Sequence, residues 1–258
     1  MKKFACLSLA FLLIFSLTSC GKQARQVELY VFAAASLTET MDEIIEDYKT
    51  VAPDVTVIPT YDSSGTLLKQ IQEGAACDLF LSAAQKQMDT LGDAGSLQSD
   101  TRVDLLENKV TLAVPAGNPK GIESFDQLAR LLEEGGVFLA IGNSDVPVGQ
   151  YTQKIFAWYG LEEAALSSCL TYGSNVKEVT THVAEGSVDC GIIYATDAAS
   201  AGLTVVDSAT EEMCGQVIYP AAVLADSAHP DQAEAFLDYL RTSEAGAVFE
   251  RVGFTPLG

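Results

Sequence analysis

The chain has 258 residues, 48% hydrophobic and 19% charged, a balance that suits a globular core and argues against a disordered chain. Its 35 acidic against 15 basic residues give a formal charge of -20, which argues against nucleic acid and anionic membrane surfaces as partners. Anion binding survives that exclusion, because a site built from N–H and O–H donors needs no lysine or arginine.

At the N-terminus Lys2 and Lys3 precede the apolar run 4–17, and Leu17-Thr18-Ser19-Cys20-Gly21 follows. The run is shorter than the about 20 residues a spanning helix needs. It resembles a bacterial lipoprotein signal, in which residues 1–19 are removed and Cys20 takes a diacylglyceryl anchor. Residues 20–26 then read as a short polar tether. No later stretch is long and apolar enough to span a bilayer.

An apolar strand at 27–32 runs through three alanines into Ser36, and Leu37, Met41, Ile44, Ile45 and Tyr48 follow at helical spacing. Ser36-Leu37-Thr38-Glu39 fits a capping box, so Ser36 is the expected N-cap. A helix start carries unpaired N–H groups and a partial positive charge, which suit an anion. A second strand at 55–59 leads through Ser63-Ser64-Gly65-Thr66 into a helix that stops at Gly74. A strand at 78–81, a helix at 85–91 and a strand at 109–115 complete the first half.

The pattern then restarts. Ser124-Phe125-Asp126-Gln127 is another capping box, a strand spans 137–141, and the loop 142–149 contains Val146-Pro147-Val148-Gly149. Helices at 150–159 and from Asn175 to near Gly186, strands at 190–194 and 216–224, and a helix at 230–240 with Pro230 in its first turn follow. Strands alternating with amphipathic helices predict an α/β fold with mostly parallel sheets. The expected division is a first lobe of 27–108 plus 222–258 and a second of 109–221, with a ligand cleft between them.

Of the six cysteines, Cys6 belongs to the signal and Cys20 to the anchor. Cys77, Cys169, Cys190 and Cys214 lack zinc-ligand spacing; small buried hydrophobes, or one disulfide among the last three, are both open. A serine triad with His182 or His229 lacks a G-x-S-x-G elbow, so no enzymatic activity is expected.

Five motifs in order carry a specific resemblance: Val31-Phe-Ala-Ala-Ala-Ser-Leu-Thr, Ser63-Ser64-Gly65-Thr66-Leu67, Asp78-Leu79-Phe80-Leu81-Ser82-Ala83, Val146-Pro147-Val148-Gly149 and Gly191-Ile192-Ile193-Tyr194. Together with Arg251-Val252-Gly253-Phe254 near the end, they resemble the molybdate-binding proteins of bacterial ABC importers, a type II periplasmic-binding-protein fold. The resemblance implies that Ser36 and Ser64 each give a backbone N–H and a hydroxyl, Val148 and Val176 a backbone N–H, and Tyr194 its phenol. The ligand would be molybdate or tungstate held through its oxygens, with no direct metal ligand and no cofactor. It further implies a monomeric, lipid-anchored extracytoplasmic protein that delivers its cargo to a membrane-embedded ABC permease. Such a donor-only site should reject monohydrogen phosphate, while sulfate passes the same charge test and differs in size. Three departures stand out: Val148 where many relatives have alanine, Gly65 where serine or threonine is common and where it should loosen the helix start, and Asp62, expected to face solvent.

Overall fold

The computed structural model describes residues 26–258. The expected signal peptide at 1–19, the expected anchor residue Cys20 and the expected tether up to residue 25 lie outside the described residues. Among the described residues no helix is long and apolar enough to cross a membrane.

The chain builds two sheets. β1 (Val27–Ala34), β2 (Val55–Asp62), β3 (Leu79–Leu81), β4 (Val103–Asn108), β10 (Val217–Val223) and β11 (Thr255–Pro256) form the first, in the order β11-β4-β10-β3-β1-β2. β5 (Val110–Val114), β6 (Leu139–Gly142), β7 (Leu170–Gly173), β8 (Cys190–Tyr194) and β9 (Thr204–Ser208) form the second, in the order β7-β6-β8-β5-β9. Both sheets are mixed rather than mostly parallel. β1 pairs in parallel with β2 and β3, and β6 with β7 and β8, as strand–helix–strand connections require. The strands nearest the crossings between sheets run the other way: β5 is antiparallel to β8, and β10 to β3 and β4. Only Lys109 separates β4 from β5, so the first crossing is abrupt. β10 pairs within the first sheet from Val217 onward, which places 217–221 there and corrects the expected division at 222.

The inner parallel strands are buried on both faces, as in Leu29, Val31, Ala33 and Ala34 of β1 and all of β8. The helices cover them with one apolar stripe each: Met41, Ile44, Ile45 and Tyr48 on α1 (Thr38–Val51), and Phe125, Leu128, Ala129 and Leu132 on α4 (Phe125–Glu133). Each such large side chain contributes about 1.5–3 kcal/mol when fully buried. Ser124 does cap α4, accepting from the Gln127 N–H at 3.2 Å, but the Gln127 side chain reaches one residue further back, to the Glu123 N–H.

The four cysteines are free and buried, so the disulfide alternative falls. Burial pushes the Cys77 thiol up to about 12, which keeps it an inert hydrophobe. His229 is also structural in its backbone: buried Asp78 accepts from the N–H groups of Ala228 and His229 and from the Ser227 hydroxyl, tying the start of α9 (Pro230–Leu240) to the first sheet.

Candidate functional site

Four chain turns converge between the sheets. β1 ends in a single 3-10 turn, Ala35–Leu37, before α1 begins. β2 leads into α2 (Ser64–Gln72), the loop after β6 into α5 (Pro147–Tyr159), and the loop after β7 into α6 (Val176–Ala184). Each helix start presents N–H groups without intrahelical partners, and Pro147 leaves Val148 as the first donor of α5.

Ser36, Ser64, Val148, Val176 and Tyr194 all line one small cavity at this meeting point, closed further by Ala35, Ser63, Ala83 and Val146. The structure therefore brings the five sequence-predicted residues together. Neither His182 nor His229 lines the cavity.

Two local expectations change. Ser36 is not an N-cap: it sits inside the 3-10 turn, and α1 starts behind Leu37 without a side-chain cap. The alanines Ala33 to Ala35 let the strand turn tightly, so the Ser36 hydroxyl points across the core and meets the Tyr219 hydroxyl at 2.9 Å. At α2 the cap is Ser63, which accepts from the Thr66 N–H at 3.1 Å. That frees Ser64, at the first helical position, to accept from the Ala83 N–H at 2.9 Å. On α6, Asn175 is the cap, accepting from the Glu178 N–H, and Val176 follows with its own N–H unclaimed by the helix.

Tyr194 is 1% exposed at the end of β8, and its hydroxyl has no hydrogen-bond partner within the protein. Burial drives its pKa well above the ordinary value, and the nearby Tyr219 ring, edge-on at 5.7 Å, raises it further although the two hydroxyls do not meet hydrogen-bond geometry. The phenol is therefore a neutral donor, left unsatisfied unless something in the cavity accepts its proton.

Charge is kept outside the cavity. Asp62 is part-buried rather than solvent-facing: it accepts from the Ser63 N–H at 2.7 Å, with Asn175 at 3.5 Å, and does not line the cavity. Lys177 pairs with both oxygens of Glu39 on α1, at 2.8 and 2.7 Å, bridging the two sides of the cleft. Its ammonium also lies 3.2 Å from the fully buried Asp197, an ion pair without hydrogen-bond geometry. Burial raises the Asp197 carboxyl to about 6 against the lowering pull of Lys177.

Gly65 has a different role from the one expected. A Cβ there would lie 2.1 Å from the Asp145 backbone oxygen, so the glycine lets α2 press its start against the loop of the second sheet. Gly149 permits a similar approach, since its Cβ would meet the Asn143 oxygen at 2.2 Å. The sequence reading missed Tyr219 and Asn108 as partners of the site; Tyr219 lies 183 positions from Ser36 and carries no local signal.

Residues 29–255 match the family model described as bacterial extracellular solute-binding protein. The chain is 36% identical to the molybdate-binding protein ModA of Escherichia coli over 241 residues, 90% of each chain. It is 33% identical to a Bacillus subtilis protein over 95% of this chain and 94% of that one; the relative's provisional name is ABC transporter substrate-binding lipoprotein YvgL. A solved substrate-binding domain from Clostridium difficile, provisionally assigned to a molybdenum ABC transporter, aligns with a TM-score of 0.67 at 34% identity, covering 90% of this chain and 100% of that one.

Proposed function

The chain belongs to the bacterial extracellular solute-binding protein family, and on that premise we propose that it captures molybdate, and tungstate with it, for delivery to a membrane-embedded ABC permease. Family membership makes it a substrate-binding transport protein rather than an enzyme. The observation that carries the choice of ligand is the polarity of the cavity wall. The two serine hydroxyls already accept from or face buried partners, Tyr194 holds an unspent proton, and the helix starts offer N–H groups. A fully deprotonated tetrahedral dianion satisfies donors of this kind, and hydrogen bonds to a charged acceptor contribute about 1.5–3 kcal/mol each.

Monohydrogen phosphate brings a proton for which the wall has no evident acceptor, and the mismatch costs about 1–3 kcal/mol. Sulfate is the second reading, because it matches the same donors and differs only in its shorter bonds. Titration calorimetry with molybdate, tungstate, sulfate and phosphate separates these cases. Molybdate at about 100 times Kd should stabilise the fold by ~2.7 kcal/mol. An unchanged melting temperature with both molybdate and tungstate would overturn the proposal, and tighter sulfate binding in direct competition would favour the second reading.

The relationship to a lipoprotein of B. subtilis supports anchoring through Cys20 after removal of residues 1–19. Cys20→Ser should release the exported protein from the membrane fraction, and retention of that variant would remove the anchor. The protein then works as a tethered monomer outside the cytoplasm.

A further inference from the structure

Ser36 does not stand alone behind the cavity wall. Its Oγ meets the Tyr219 hydroxyl at 2.9 Å, and the Asn108 side chain donates through Nδ2 to that same phenol at 3.2 Å. Asn108 is 4% exposed and Tyr219 1% exposed, and Asn108 is the last residue of β4, immediately before the chain crosses between sheets. Its amide orientation is set by the backbone: the Lys109 N–H donates to Asn108 Oδ1 at 2.8 Å, so the NH2 end must face Tyr219 and Thr196.

Hydrogen positions follow from that single constraint. An amide nitrogen can only donate, so the Tyr219 oxygen accepts from Asn108. Among the described residues, Ser36 Oγ is then the one acceptor that meets hydrogen-bond geometry with the Tyr219 hydroxyl. Were Ser36 to donate instead, the Tyr219 proton would become a second unpartnered buried phenol proton beside that of Tyr194, at the cost of desolvating a donor with no bond in return. The chain of bonds therefore runs Lys109 N–H, Asn108, Tyr219, Ser36, and the Ser36 proton is directed into the cavity.

We propose that Tyr219 and Asn108 are positioning residues that fix Ser36 as a donor and thereby set the selectivity of the site for fully deprotonated oxyanions. The proposal rests on the oxyanion-binding reading given above and deepens it. Ser64 follows the same logic by a shorter route, with the Ala83 N–H occupying an acceptor side of its hydroxyl. The two serines are polarised by different partners, so the selectivity contributed through Ser36 can be altered alone.

Tyr219→Phe keeps the ring and removes the relay. The Ser36 hydroxyl becomes free to rotate and to accept, so molybdate affinity should fall about fivefold, and discrimination against inorganic phosphate at mildly alkaline pH should narrow by a similar factor. Asn108→Asp replaces the donor with an acceptor, turns the Tyr219 proton toward the new carboxylate and leaves Ser36 to donate backward. Discrimination should narrow further in that variant. The readout is the ratio of phosphate to molybdate dissociation constants in each variant that retains the wild-type far-UV spectrum. A ratio unchanged from wild type overturns the relay, even where molybdate affinity falls, because simple loss of packing would weaken both anions alike. The wild-type titration is read first: no molybdate binding there removes the functional reading itself, whereas normal wild-type binding with an unchanged ratio in the variants removes the relay alone.

Discussion

The two sides of the cavity supply donors by different means. The first-sheet side adds side-chain hydroxyls to its backbone N–H groups, those of Ser36 and Ser64, each of which has a buried partner in its own sheet region: the Tyr219 hydroxyl and the Ala83 N–H. The second-sheet side uses backbone N–H groups at Val148 and Val176, together with a phenol that has no partner at all. The hydroxyls of the first half have partners without a ligand, and the hydroxyl of the second has none. The consequence is that affinity and stability should be coupled on the first side and opposed on the second.

Ser64→Ala tests the coupled side and has the largest expected effect. It removes a hydroxyl of the cavity wall and strands the Ala83 N–H in a buried place. Molybdate binding should weaken by about 1.5–3 kcal/mol, and the unliganded fold should lose about 1–3 kcal/mol as well. Chemical denaturation and calorimetry on the same preparation report both. A variant that loses affinity with full stability would break the comparison.

Tyr194→Phe tests the opposed side. The affinity loss should again be about 1.5–3 kcal/mol, for one hydrogen bond to a charged acceptor. The unliganded protein should be as stable as wild type or slightly more so, because an unsatisfied buried hydroxyl is removed. A clear loss of unliganded stability would mean that the phenol has a partner of its own.

These residues were legible in the sequence because small residues and helix starts are local signals, and because five motifs kept their order along the chain. The full span of β8 and of α9 could be read from an apolar run and from a proline at a helix start. What could not be read depends on contacts distant in sequence. The role of Ser36 turned on a tyrosine in β10, and a 3-10 turn displaced the cap expected there. β4 has two charged residues among six, and β9 has no full apolar face, so neither stands out from loops by pattern alone. Pairing with a crossing strand is what makes them strands. Gly65 read as a weak helix start because nothing local announces that the Asp145 backbone lies against it.

Gly65→Ala therefore addresses the contact between the two sides rather than either one. The added Cβ would sit 2.1 Å from a backbone oxygen that cannot rotate away, so the closed arrangement must spread. Overpacking of this kind costs about 1–3 kcal/mol. The loss should appear in molybdate affinity while the unliganded melting temperature stays near wild type, because hinged lobes can relieve the clash by opening. A matching fall in both would show instead that the contact persists without ligand.

The smallest expected effect concerns the ion pair that spans the cleft. Lys177 and Glu39 are 30% and 55% exposed, so water screens their attraction, and such pairs contribute about 0.2–1 kcal/mol. Glu39→Gln should accelerate molybdate release up to about fivefold at low salt, and the difference should vanish at high salt, where screening shortens to about 3 Å. The buried Asp197 adds a pH signature of known sign. Its carboxyl titrates near 6, above the ordinary aspartate value, so acidification through that point neutralises it and leaves the Lys177 ammonium to Glu39 alone. Release from wild type should slow as pH falls through about 6, and the Glu39→Gln variant should lose that response. Stopped-flow release measured on both proteins across this range would decide it: a parallel pH response would place the titrating group away from the pair and leave the closure of the two sides to Gly65 and the ligand.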